Sequence, residues 1–168
     1  MEWKFLKELK IFLAGKGFIT KFKGDAHANS ILVDAVAVSP EKFTPQIYHE
    51  VTEYLNNSGE YMFKNIKFEA DADNWHIKFS FPAPEVYHVR RRNERTCLEH
   101  TYIGFNGKDA ILSVATNIVK TAENHTLDEL FVSNGNEIHA VDERGSYYWE
   151  CDCRDIYPAE LREIIRKA

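Results

Sequence analysis

Residues 74–81 read Asn-Trp-His-Ile-Lys-Phe-Ser-Phe, with apolar and polar members alternating without a fault. A period of two belongs to a strand with one face on a core and the other in water. Just upstream, Ile66, Phe68 and Ala70 alternate with Lys67 and Glu69, and residues 71–74 supply turn formers. The two segments predict a hairpin whose large side chains cover a layer of helices, with Trp75, Phe79 and Phe81 in the main core.

Around that hairpin the chain falls into short elements. Trp3, Leu6, Leu9, Phe12 and Leu13 recur at helical spacing, and Ala14-Gly15 offers a stop. Phe18, Thr20 and Phe22 alternate with Ile19, Lys21 and Lys23, and residues 31–38 form a β-branched run suited to an interior strand. Thr44-Pro45 is a helix start, followed by a stripe of Ile47, Val51, Tyr54 and Leu55. Pro82-Ala83-Pro84 closes the hairpin and opens what reads as the least regular stretch, residues 85–95. Residues 96–105 predict a strand. Residues 109–122 carry strand formers, yet Ile111, Ala115, Ile118, Val119 and Ala122 fit a helical stripe over more than three turns, so a helix capped by Asp109 is expected. Residues 130–152 read as a three-stranded meander turning at Asn134-Gly135 and Arg144-Gly145, and residues 158–167 as a last helix. The expectation is a single α+β domain over residues 1–168. It has a largely antiparallel sheet of about eight strands in hairpins and a C-terminal meander, packed against three to four helices.

Composition narrows the function classes. The chain has 168 residues, 44% hydrophobic, with net charge −5. No apolar run is long enough to span a membrane, and the N-terminus lacks the apolar segment of a secretory signal. Three cysteines do not make a disulfide framework, which predicts a reducing cytoplasm. Charge is unevenly spread. Residues 1–23 hold six lysines against Glu2 and Glu8, and residues 86–95 hold four arginines against Glu94. From Thr96 onward, seven basic residues face thirteen acidic ones. Such asymmetry steers charged partners.

Four groups of residues carry candidate chemistry. On the last strand Tyr148, Glu150 and Asp152 oppose the core row, and Asp142, Glu143 and Asp155 lie close by in sequence. An aromatic set among carboxylates suits a protein interface. The basic run Tyr87, His88, Arg90, Arg91, Arg92 and Arg95 reads as a loop able to hold phosphate or a nucleic-acid backbone, with two rings to stack on a base. Its bland alternative is a solvated loop, or one paired with the acidic half of the chain. Cys97, His100, Cys151 and Cys153 supply the donor types of a closed zinc site. Against that, Cys151 and Cys153 continue the apolar row of Tyr147 and Trp149, where free cysteine acts as a small hydrophobe. No metal and no cofactor is therefore expected. His49-Glu50-x-x-Glu53 has a glutamate where a helical zinc-protease motif needs its second histidine, so these residues are expected to face water. No serine sits in a nucleophile elbow, and residues 104–109 lack the spacing and hydroxyl of a phosphate loop.

The leading expectation is a small cytoplasmic, non-enzymatic protein that binds another macromolecule, a protein most of all, in the manner of an inhibitor, an immunity protein or a phage or mobile-element accessory protein. The runner-up is phosphate or nucleic-acid binding through residues 88–95, and the third reading is a metal-supported or hydrolytic enzyme.

Overall fold

The computed structural model describes residues 1–25, 27–39, 41, 43–58, 62–91, 99–122, 132–134, 137–141 and 148–168. In chain order the elements are α1 (Lys4–Gly15), β1 (Phe18–Asp25), β2 (Ser30–Ala37), α2 (Pro45–Asn57), β3 (Lys64–Ala70) and β4 (Trp75–Pro82). There follow β5 (Glu85–Arg91), β6 (Glu99–Gly104), α3 (Gly107–Ala122), β7 (Val132–Asn134), β8 (Glu137–Val141), β9 (Tyr148–Asp155) and α4 (Pro158–Arg166). The α+β class and the antiparallel pairing stand as expected, arranged in two sheets. The chain gathers into two compact units: Met1–Ala83 with Tyr157–Ala168 (unit 1), and Pro84–Ile156 (unit 2).

Unit 1 is a four-stranded sheet in the order β1-β2-β4-β3. The β-branched run forms interior β2, flanked by β1 and β4. Alternation sends Phe18, Val33, Ile77, Phe79 and Phe81 to one face, where all are buried. The helices cover that same face. From α1, Leu6, Leu9 and Leu13 are buried, and Phe5 meets Phe81 edge-on at 5.5 Å. From α2, Val51 and Leu55 are buried, and Tyr48 lies 4.2 Å from Phe68 of β3. Leu161 of α4 comes so near β1 that a methyl group on Gly24 would stand 3.0 Å from its Cδ2. Thr44 caps α2 as its sequence implies, its hydroxyl accepting from the Ile47 N–H at 3.3 Å. The left-handed turn after α1 falls at Gly17, φ +91°, with Gly15 still helical.

One member of the expected core is displaced. Trp75 is 37% exposed, because it opens β4 at the turn end of the hairpin and meets Phe43 at 5.3 Å. Asp71 closes that turn, its Oδ1 accepting from the N–H groups of Asp73 and Asn74 at 2.9 and 2.7 Å.

Unit 2 is a five-stranded sheet in the order β6-β5-β9-β8-β7. The stretch expected to be least regular is in part its second strand: Glu85–Arg91 is β5, paired with β6 on one side and β9 on the other. Val86, Tyr87 and Val89 repay that position by burial, and the arginines following them masked the pattern. Helix α3 forms as its stripe implies and begins two residues before the expected cap. Asn106 takes the capping role, accepting from the Asp109 N–H at 2.8 Å. Ala110, Ile111 and Ala115 pack on Tyr87, Val89, Ala140, Trp149 and Cys151. A methyl group on Gly107 would lie 2.6 Å from Ile138 Cδ1 and 2.8 Å from Cys151 Sγ, so this close approach of helix to sheet requires glycine. The expected turns at 135 and at 144–145 lie outside the described residues.

Candidate functional site

Of the residues expected to bind partners, Tyr148, Glu150 and Asp152 share the face of the unit 2 sheet opposite α3. Cross-strand register places Arg90 beside Glu99 of β6 and Glu150 of β9. Its guanidinium spans both neighbours: Nε donates to Glu150 at 3.3 Å, Nη2 to Asp152 at 3.2 Å and Nη1 to Glu99 at 3.4 Å. Nδ1 of His88 stands 2.7 Å from a carboxylate oxygen of Glu99. Tyr148 lies against the His139 ring, 5.1 Å between centroids. Arg90 and the acidic row thus form one ion network, in which Glu150 and Asp152 of the expected interface already hold the arginine.

The other members of the basic run point elsewhere. Arg91 shares the α3 face with Val89 and is 6% exposed, its guanidinium 5.3 Å from the centre of the Trp149 ring. Tyr87 is buried, and its hydroxyl donates to Glu85 at 2.7 Å. Asp155 ends β9 and is exposed. Arg92, Arg95, Asp142 and Glu143 lie outside the described residues.

The thiols sit in the core face. Cys151 is 1% exposed, and its Sγ stands 3.6 Å from the Gly107 carbonyl oxygen. Burial, reinforced by Cys153 and Asp152, pushes its pKa up to about 11. Burial and the nearby Glu85 raise Cys153 as well, and burial with the Glu85 hydrogen bond raises Tyr87. All three are held in their protonated, poorly nucleophilic forms. His100 and Cys151 both pair with Val89, one on each side of β5, which keeps them two strands apart. Cys97 lies outside the described residues, among which no cluster of three or more metal donors occurs. On α2, His49 and Glu53 are exposed as expected, and Glu50 accepts from Lys16 and Gln46.

Unit 1 presents a second face that sequence reasoning passed over. Opposite its helices, register aligns Lys21, Asp34, Lys78 and Lys67 in one row across all four strands. The next row holds Lys23, Leu32, Ser80 and Lys64. Lys78 pairs with Glu69 at 3.2 Å. Lys21, Lys23, Lys64 and Lys67 have no ion-pair partner among the described residues. Lys67 and Lys78 stand directly opposite each other, an arrangement that opposes pairing. The face is hollowed. Residues from all four strands line a depression of about 660 Å³, among them Lys21, Lys23, Leu32, Asn65, Lys67 and Lys78. A bulge between Lys64 and Lys67, with Asn65 at φ 55°, bends the edge strand there.

At one end of this face His76 is clamped between two carboxylates. Its Nδ1 lies 2.9 Å from Asp34 and its Nε2 2.7 Å from Asp71. The hydrogen bonds to Asp34 and then Asp71 raise the histidine above its ordinary 6.5. Asp71 is lowered, first by the Asp73 N–H and then by His76.

Similarity adds nothing to this geometry. No family model, curated protein or solved structure matches the chain. The lysines of unit 1 did leave a trace in the sequence: Lys21 and Lys23 occupy the polar positions of one alternating strand, and Lys67 and Lys78 those of two others. What brings them together is the order β1-β2-β4-β3, which local pattern does not specify.

Proposed function

We propose that this chain is a non-enzymatic binding protein, and that the hollowed face of the unit 1 sheet is its recognition surface, for an anionic macromolecule. One observation carries the reading. Four lysines on one open face have no ion-pair partner among the described residues, and two lysines abut across β3 and β4. Folding alone gains nothing from such an arrangement, whereas an incoming polyanion relieves it. The raised thiols and the raised Tyr87 hydroxyl support a role without nucleophilic chemistry. Cys151 and Cys153 are free thiols, which supports a reducing, cytoplasmic setting. Among the described residues no helix is long and apolar enough to cross a membrane. The arginine run is the weaker anchor for anion binding, since Arg90 is already held by three carboxylates and Arg91 is buried.

Heparin chromatography tests the reading with a generic polyanion. The wild-type protein is expected to be retained at low salt despite its net charge of −5, and Lys21→Gln/Lys67→Gln to elute distinctly earlier. Passage of the wild type straight through the column, or identical elution of the two proteins, would contradict it.

A further inference from the structure

The chemistry of the lysine face narrows its occupant, given the reading above that the face binds polyanions. We propose that it holds a single strand of nucleic acid, gripping the phosphodiester backbone and ignoring base identity. Three properties point there. The first is residue type. The aligned rows supply five lysines and no arginine: Lys21, Lys23, Lys64, Lys67 and Lys78. Protein interfaces are depleted in lysine and enriched in arginine and aromatics, whereas lysine serves phosphate contacts as a mobile point charge.

Shape is the second property. The depression runs across four strands with lysines on both flanks, Lys21 and Lys23 on β1 and Lys67 on β3, and Lys78 between them. A planar bilayer surface cannot follow a hollow face. Four strands span only about 14 Å, little more than the ~12 Å major groove of a duplex, so a duplex would meet one flank with one backbone. A single strand lying in the hollow meets both flanks.

Third, the floor offers no exposed aromatic ring on which a base could stack. Between the lysines lie Leu32, Ser80 and Asn65, and Leu32 is 40% exposed. Of the two rings that border the hollow, Phe79 is buried under the helices and Phe22 is half-buried in the same register. Without an aromatic platform, affinity comes from phosphates and from apolar contact with Leu32, and it carries no sequence preference. Asp34 and Glu69 sit among the lysines and limit how many phosphates can be neutralised.

Fluorescence anisotropy with a labelled oligothymidine tests this, with a duplex of equal length, polyglutamate of matched charge and phosphatidylglycerol vesicles as competing probes. If the four unpaired lysines each meet a phosphate, affinity for the single strand falls on the order of 50-fold between roughly 50 and 200 mM salt. Lys21→Gln/Lys67→Gln should reduce that fall to about 7-fold and weaken binding at low salt, while a mixed-base oligonucleotide binds as well as oligothymidine. Lys21→Arg/Lys67→Arg should restore binding, and unchanged circular dichroism shows that the glutamine variant is folded. The proposal is overturned if oligothymidine binds no tighter than polyglutamate, if the duplex or the vesicles bind more tightly, or if the glutamine variant binds like wild type. In each of these outcomes, retention on heparin leaves the broader reading standing; loss of heparin retention removes both.

Discussion

In unit 2, Arg90 stands between Glu99 on one neighbouring strand and Glu150 and Asp152 on the other. Across the unit 1 sheet, the corresponding row runs Lys21, Asp34, Lys78, Lys67, with one internal counter-charge and two lysines side by side. Both sheets are antiparallel, and both bury one face under helices. They differ in what the other face does with its charges. In unit 2, among the described residues, Arg90 closes its ion pairs within the sheet. Over the hollow of unit 1, Lys21, Lys23, Lys64 and Lys67 have no ion-pair partner among the described residues, which leaves them available to something outside. Residue type alone conceals this contrast: arginines and carboxylates drew the eye in sequence because they cluster there, and clustering is what lets them neutralise one another.

The largest expected effects lie under the covered faces, where the two sheets are alike. Phe79→Ala in unit 1 and Trp149→Ala in unit 2 should each cost about 3–5 kcal/mol in chemical denaturation, through lost burial and the cavity left behind. A cost below ~1 kcal/mol for either would mean that its sheet does not hold a core on that face. Gly107→Ala comes next. The added methyl group collides with Ile138 and Cys151, and overpacking of this kind costs about 1–3 kcal/mol; a neutral result would show that α3 can shift off the sheet.

The open faces should then diverge. Arg90→Met leaves Glu99, Glu150 and Asp152 facing one another, with an expected loss of roughly 1–3 kcal/mol that shrinks as salt rises. Lys67→Gln removes a repulsion and should leave stability within about 0.5 kcal/mol. Equal costs for the two substitutions, measured side by side in low salt, would erase the distinction.

The smallest effect concerns pH at the His76 clamp. The raised histidine contributes stability that is fully present below its ordinary 6.5 and is lost as pH climbs through its higher folded value. The lowered Asp71 contributes stability present above its ordinary 3.8 and lost as pH falls through its lower folded value. Wild type should therefore lose a small increment of stability as pH rises above 6.5 that His76→Gln lacks. Superimposable pH profiles over that range would show that the clamp contributes nothing.

How much of this could be read from the chain depends on the range of the interaction. The hairpin, the α2 cap and the stripe of α3 rest on contacts a few residues apart, and pattern revealed them. Trp75 kept the alternation of β4 and still fell short of the core, because the pattern does not show where a strand leaves its covering helices. β5 was read as irregular because Arg90 and Arg91 follow its apolar residues, and only pairing with Glu150 and Asp152, some sixty residues on, makes the charge tolerable in a sheet. The lysine face was hidden for the same reason. Lys21, Lys67 and Lys78 sit on three strands, and their meeting depends on strand order.

The most direct test sets the two open faces against each other in a single oligothymidine titration at low salt. Wild type, Lys21→Gln/Lys67→Gln and Arg90→Gln are compared, each first confirmed as folded. The lysine variant should lose most of its binding, and Arg90→Gln should bind like wild type, because Arg90 is already occupied by its own carboxylates. Loss of binding in Arg90→Gln with the lysine variant unaffected would place recognition on unit 2 and contradict the assignment to unit 1.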